Sequence, residues 1–372
     1  MSPLSPQKRI RKNLLHWFFH YKRNLPWRRE PRDPYHVWLS EVMLQQTQVA
    51  TVIPYYERWL QRFPTLHALA EAPLDDVLKQ WEGLGYYSRA RNFHKAAQTV
   101  VGEMGGGMPR TVDTLLMLPG VGRYTASAIA SLAFNQHAAV LDGNVKRVLA
   151  RIYALSEPTD DDLWMLAEAL LPQGQAGAFN EALMELGATV CTPRSPKCSL
   201  CPISKDCAAL ASGTPEAFPA KRAKAATPHY DVLTAIVLNT QQAVLMGQRP
   251  RDGLLGGLWE FVSSEFRMAS GELGDVVRER TGLIVDDEAA EMIGTVKHAF
   301  THFKITRHVF VVARIIGMEA LADSRLKPPF QKERGYAQLH WVPLNKIRQL
   351  ALTRSDQKIF ALYEKHRLSL LA

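Results

Sequence analysis

Residues 118–126 read Leu118-Pro119-Gly120-Val121-Gly122-Arg123-Tyr124-Thr125-Ala126: a helix end, a tight turn with two glycines, and the start of a second helix. Glycine lets a backbone come close to a ligand, and the unpaired N–H groups that open the second helix face an anion such as a DNA phosphate. Most G-x-G turns only join helices. The whole run, set before the apolar stretch 124–132, is a helix-hairpin-helix signature, with Gly120 and Gly122 as candidate backbone contacts to DNA.

The helical period extends in both directions. From Leu14 to about Ala211 apolar residues recur every three or four positions with almost no alternation. Helices are predicted over 38–53, 66–70, 74–82, 88–104, 112–118, 124–132, 143–155, 160–170 and 178–189, several separated by breakers such as Pro73 and Gly105-Gly106-Gly107. In the first, Leu39, Val42, Met43, Val49 and Ile53 form an apolar face, and Glu41, Gln45 and Gln48 a polar stripe. Residues 212–228 (SGTPEAFPAKRAKAATP) have no apolar period and read as a linker. Beyond it strands are predicted at 232–238, 243–248, 305–314 and 340–342, with helices near 273–280 and 355–366. A mainly α domain over 1–211 is thus followed by an α+β domain over 229–372.

A length of 372 residues asks for two or three domains, and 47% hydrophobic with 22% charged side chains excludes wholesale disorder. No apolar run approaches the roughly 18 residues of a membrane span. The opening MSPLSPQKRIRKN has no apolar core with a cleavage site, so a cytoplasmic, bacterial-type, nucleoid-associated protein is expected. The net charge of +9 is concentrated: residues 1–32 hold nine basic side chains against one acid, Glu30. Such a patch suits phosphates, and equally suits a solvated basic tail.

All four cysteines lie within residues 191–207 as C-x6-C-x2-C-x5-C (Cys191, Cys198, Cys201, Cys207), too narrow a span for the disulfide framework of so long a chain. Four thiolates this close can enclose one metal centre. Only Cys198 and Cys201 form the short knuckle typical of structural zinc, which leans toward a [4Fe-4S] cluster and leaves zinc open. Asp142, in Val140-Leu141-Asp142-Gly143-Asn144-Val145-Lys146-Arg147, stands where another helix begins. Taken alone it reads first as a helix cap.

Together with Trp38-Leu39-Ser40-Glu41-Val42-Met43-Leu44-Gln45-Gln46-Thr47-Gln48 and Gly83-Leu84-Gly85-Tyr86-Tyr87, these segments resemble the A/G-specific adenine DNA glycosylases of the MutY family over most of residues 25–207. The resemblance implies a helix-hairpin-helix glycosylase domain split by a cleft, one [4Fe-4S] cluster on the cysteine loop, and a Nudix-like C-terminal domain. It implies base-excision repair of double-stranded DNA, with hydrolysis of the N-glycosidic bond of adenine mispaired with 8-oxoguanine or guanine. A monomer is expected. The adenine must leave its stack before that bond is reachable. Glu41 matches the family's general acid, kept neutral by burial, and Asp142 the carboxylate that stabilises the oxocarbenium-like sugar. Tyr124 and Asn144 match supporting polar groups, and Trp27, Arg28 and Glu181 are candidates for the adenine pocket. Gln46, Thr47, Leu84 and Tyr86 match positions beside the opposite base, with Tyr86 as a wedge into the duplex. Phe300-Thr301-His302 resembles the family's Phe-Ser-His loop that reads 8-oxoguanine; Thr301 keeps the hydroxyl and adds a methyl.

Similar enzymes of the endonuclease III type carry a lysine where this chain has Tyr124. A tyrosine forms no Schiff base with the sugar, so a monofunctional glycosylase with little lyase activity is expected. The rival enzyme is a magnesium-dependent Nudix hydrolase, which needs Arg-Glu and Glu-Glu pairs on one helix. The aligned positions hold Asp275-Val276 and Glu279-Arg280, so the C-terminal domain reads as a binding module. A non-enzymatic DNA-binding protein that senses redox state through its cluster is the other alternative, and Glu41 with Asp142 argues against it.

Overall fold

The helical period resolves into α1 (Pro6–Tyr21), α2 (Pro34–Leu44), α3 (Val49–Arg62), α4 (Leu66–Glu71), α5 (Leu74–Trp81), α6 (Ser88–Glu103), α7 (Val112–Leu116), α8 (Arg123–Phe134), α9 (Gly143–Ile152), α10 (Asp160–Leu170), α11 (Ala176–Thr189) and α12 (Ala208–Ala211). This computed structural model describes residues 5–220, 226–264, 272–318 and 335–370. Ser5, Asp33, Thr111, Asp142 and Thr159 each cap a helix by accepting an N–H of its first turn. The helix expected over 38–53 is two helices. The chain turns at 45–48, where Gln46 takes a left-handed conformation (φ 56°) and the Thr47 amide closes on Leu44 O at 3.2 Å. Glu41, Gln45 and Gln48 therefore do not share one helix face. The apolar period runs through the break because it reports buried side chains and is blind to a backbone turn between them.

One core gathers Leu14 and Phe18 of α1, Val145 and Leu149 of α9, and Phe179, Leu183 and Leu186 of α11. Two glycines bring α11 close to its neighbours. A Cβ on Gly177 would stand 2.5 Å from Ser131 O, and one on Gly187 would stand 2.6 Å from Asn144 Cβ.

After residue 228 come β1 (His229–Val237), β2 (Val244–Gln248), β3 (Trp259–Ser263), α13 (Leu273–Thr281), β4 (Leu283–Val285), β5 (Glu291–Ala299), β6 (Lys304–Val312), β7 (Ile315–Met318), β8 (Gln338–Val342), α14 (Leu344–Ile347) and α15 (Arg354–Ser369). A six-stranded sheet runs β5-β6-β1-β3-β2-β8, with β1 and β6 parallel, and β4 pairs with β7 apart from it. Alternate residues of β1 enter different cores: Ile236 packs with Ile359 and Phe360 of α15, Ala235 and Val237 with Leu273 and Val277 of α13. β3 and β5 were not expected from sequence. β3 is buried on both faces and shows no alternation, while β5 is an edge strand whose register shifts between Met292 and Gly294.

The chain divides into two compact units, and the division differs from a single cut in the linker. Residues 1–71 and 92–224 form one unit; residues 72–91 join 225–372 in the other. The reason lies in the contacts of α5 and the turn after it. Asp75 accepts from Gln248 Nε2 (3.1 Å), Lys79 Nζ donates to Leu350 O (2.9 Å), and Glu82 Oε1 accepts from the Leu352 amide (2.8 Å). The first part of the expected linker is also docked: Ala220 N donates to Ser156 O (2.8 Å) and Arg151 Nε to Phe218 O (3.1 Å). Residues 221–225 of that linker lie outside the described residues.

Candidate active site

A cleft of about 900 Å³ opens in the helical unit, and α2, the 45–48 turn, α8, α9 and α11 all line it. Glu41, on α2, is 5% exposed. Tyr124 reaches it from the second position of α8, its hydroxyl donating to Glu41 Oε2 at 2.5 Å. The glycine turn sets that aim. Gly120 is left-handed (φ 74°), and a Cβ there would stand 2.5 Å from Asn92 Cβ, while a Cβ on Gly122 would meet nothing within 4 Å. Gly120 is thus demanded by the fold, whereas Gly122 leaves its backbone open to approach.

Asp142 is the N-cap of α9. Its Oδ1 accepts from the Val145 amide (2.7 Å) and its Oδ2 from Asn144 Nδ2 (2.9 Å). Arg147 then links Asn144 Oδ1 (2.9 Å) and Gly187 O (2.8 Å) to Cys191 O (2.8 Å). Burial pushes the Asp142 carboxyl up against these opposing hydrogen bonds. Burial also raises Glu41 to about 7, helped by the charges of Asp142 and Glu181 and opposed by the Tyr124 hydrogen bond and Arg28. Burial, then Glu41 and Asp142, hold the Tyr124 phenol well above its ordinary range, so it stays a donor. A carboxyl poised near neutrality beside a second carboxylate is an acid–anion pair of the kind that cleaves glycosidic bonds.

The facing wall carries Trp27, Arg28 and Glu181. Trp27 is buried edge-on against Tyr56, with ring centroids 5.4 Å apart. Arg28 Nε donates to Glu181 Oε1 and its Nη2 to Glu185 Oε2, both at 3.0 Å. Arg23 Nε lies 2.7 Å from Glu185 Oε1 and Arg32 Nη2 2.7 Å from Glu181 Oε2. Four of the nine basic side chains of residues 1–32 are therefore internal wiring, since Arg9 also pairs with Asp206. Sequence reasoning passed over Glu185, Arg23 and Arg32. The available signal was the i, i+4 spacing of Glu181 and Glu185 on an otherwise buried helix.

Gln46 and Thr47 line the same cleft. Leu84, Tyr86, Phe300, Thr301 and His302 line a separate hollow of about 330 Å³ in the other unit. There Tyr86, left-handed and 40% exposed, hydrogen-bonds through its hydroxyl to Thr301, and Phe300 stacks on Phe303 at 4.5 Å. Leu84 is buried. At the Nudix-box position Arg280 is buried over the Tyr336 ring (4.1 Å) and 3.6 Å from Glu260, a cation where a hydrolase would place a metal-ligating carboxylate.

The cysteine loop follows α11. All four cysteines are free of disulfides and half-buried, and Cys191 is within electrostatic reach of the other three. Burial raises Cys198 and Cys207 and pushes Cys201 to about 12, while amides of Ile203, Ala209 and Leu210 oppose the shift at Cys201 and Cys207. Arg151, buried, lies 3.3 Å from Cys191 Sγ and donates to Thr192 O (2.7 Å) and Pro193 O (3.2 Å). Thiols gathered under amide and guanidinium donors suit a cationic iron centre. Among the described residues no three His, Cys, Asp or Glu side chains converge as the ligands of one ion do. Sulfurs around a four-iron cube stand farther apart than the ligands of a single ion, with its Zn–S bonds of about 2.3 Å.

Residues 39–173 match the HhH-GPD superfamily base excision DNA repair proteins, residues 191–207 the iron–sulfur binding domain of endonuclease III, and residues 233–362 the NUDIX domain. A solved thermostable thymine-DNA glycosylase is 32% identical with a TM-score of 0.52, over 56% of this chain and 97% of that one. The class is thereby a helix-hairpin-helix DNA glycosylase with a [4Fe-4S] cluster on the 191–207 loop that carries the four cysteines, and a Nudix-like C-terminal domain. Adenine DNA glycosylases of Rattus norvegicus and Homo sapiens are 37% and 38% identical, over 96% and 95% of this chain and 78% and 74% of their own lengths. The chain belongs to the adenine DNA glycosylase family. It hydrolyses the N-glycosidic bond of adenine in DNA, in base excision repair.

Proposed function

We propose that the enzyme removes adenine opposite 8-oxoguanine, and also opposite guanine, as a monofunctional glycosylase and a monomer that works in the cytoplasm. The observation that carries the chemistry is Tyr124 bonded to a Glu41 of pKa about 7, with Asp142 beside them in one cleft. Protonated Glu41 donates to a ring nitrogen of the flipped base, so that adenine leaves neutral. Asp142, held by Val145 and Asn144, faces the sugar and stabilises the positive charge that develops there. Tyr124 holds Glu41 in place and, having no amine, leaves the abasic strand intact. Trp27, Arg28 and Glu181 hold the base, Gln46 and Thr47 lie beside its partner, and the amides around Gly120 and Gly122 take backbone phosphate. Tyr86 and Phe300-Thr301-His302 share one hollow, which supports assigning the lesion contact to them, with Leu84 beneath as packing. The cluster, when bound, supplies order to the loop that Arg147 and Arg151 hold and takes no part in bond cleavage.

Single-turnover excision on duplexes with adenine opposite 8-oxoguanine, guanine and thymine tests the reading. Release of adenine fastest opposite 8-oxoguanine, without strand cleavage, is expected; a lysine adduct trapped by borohydride would refute the monofunctional assignment.

A further inference from the structure

We infer that Arg32 is a positioning residue for recognition of the base's exocyclic amino group, acting through Glu181; this rests on the reading of the Trp27–Arg28–Glu181 wall as the adenine pocket. The wall is a chain of alternating charge, Arg23–Glu185–Arg28–Glu181–Arg32. Its interior is braced several times over: Glu185 accepts from the Arg23 amide (3.1 Å), from Arg23 Nη2 (2.9 Å) and from Arg28, and Arg28 Nη1 also donates to Arg23 O (3.1 Å). Glu181 is the last buried carboxylate of this series and is held from two sides. Arg28 takes Oε1, and Arg32 takes Oε2 at 2.7 Å with a longer contact to Oε1 at 3.4 Å. Arg32 is anchored in turn by Glu30 (2.8 Å), whose side chain is exposed.

A carboxylate with a guanidinium on each oxygen has a fixed plane and only acceptor capacity to offer a ligand. Adenine presents an N6 amino donor, and a 6-oxo purine such as hypoxanthine presents an acceptor at that place. A fixed Glu181 therefore favours the first and opposes the second, since an acceptor buried against an acceptor goes unpaired. Without Arg32 the carboxylate turns about its bond to Arg28, and the distinction between the two bases narrows.

The test is single-turnover excision of adenine and of hypoxanthine, each opposite 8-oxoguanine, with the full-length cluster-loaded enzyme. The readout is the adenine-to-hypoxanthine rate ratio within each variant, in which the fraction of folded enzyme cancels. Arg32→Gln is expected to narrow the ratio about tenfold or more, and Arg32→Lys, an ammonium in place of the fork, about threefold. Glu181→Gln is the control and is expected to collapse the ratio. If Glu181→Gln collapses it while both Arg32 variants leave it unchanged, the role of Arg32 is refuted and the pocket assignment stands. If Glu181→Gln leaves it unchanged, the pocket assignment itself fails, and this inference with it. Should Arg32→Gln lose its cluster absorbance, Arg32→Lys decides alone, and a ratio equal to wild type overturns the inference.

Discussion

Glu41 lies buried in the cleft with the Tyr124 hydroxyl on its Oε2. A glutamate on a helix ordinarily ionises well below neutrality, and it is burial beside Asp142 and Glu181 that raises this one to about 7. The acid form is present below that value and is lost above it. Excision is therefore expected to fall as pH rises through about 7, by about tenfold per pH unit, and Glu41→Gln to abolish it. Tyr124→Phe removes the hydrogen bond that favours the charged form, so its falling limb moves to higher pH in the same rate profile. The stability consequence runs the other way. The folded pKa lies above the ordinary value of 4.5, so folding is penalised as pH climbs from that value to 7. Glu41→Gln is expected to be more stable than wild type by up to about 3 kcal/mol at pH 8 and equal to it below pH 4.5, read as the gap between their melting curves.

At the scale of elements, α9 joins the two chemistries. Its first turn carries Asp142 and Asn144, and its later turns carry Arg147 and Arg151, which grip the cysteine loop at Cys191 O, Thr192 O and Pro193 O. Asp142 is the cap of α9 and the carboxylate proposed to face the sugar, and two substitutions separate the roles. Asp142→Asn keeps the capping oxygen for the Val145 amide and loses only the acceptor facing Asn144 Nδ2, so it should lose excision with a smaller drop in stability than Asp142→Ala, which also loses the cap at about 1 kcal/mol, measured by denaturant unfolding. Arg151→Gln leaves the loop carbonyls of Thr192 and Pro193 with weaker donors; iron content and visible absorbance should fall, with a loss of roughly 2–4 kcal/mol. Most helices were visible from their period, and the turn at 45–48 was not, because the apolar face continues across it. β3 was hidden for the opposite reason: a strand covered on both sides has no alternation to read.

In the whole molecule, residues 72–91 belong to the C-terminal unit although they precede it by more than a hundred positions. Leu78 is fully buried, with Gly257 against it, and Lys79 and Glu82 bond to the backbone at Leu350 and Leu352. A chain ending at residue 220 should therefore exchange its amides over 72–91 about tenfold faster or more, as followed by hydrogen–deuterium exchange. The sequence by itself determined the class: local runs such as the 118–126 hairpin, the 191–207 cysteine spacing and the motif around Glu41 need no tertiary context, because turn, ligand spacing and helix cap are properties of neighbouring residues. Only the tertiary structure decided what those residues are chemically. The acidity of Glu41, the partners of Arg23, Arg28 and Arg32, and the allegiance of 72–91 all depend on burial and on charges more than a hundred positions away in the chain, and neither is written in local pattern.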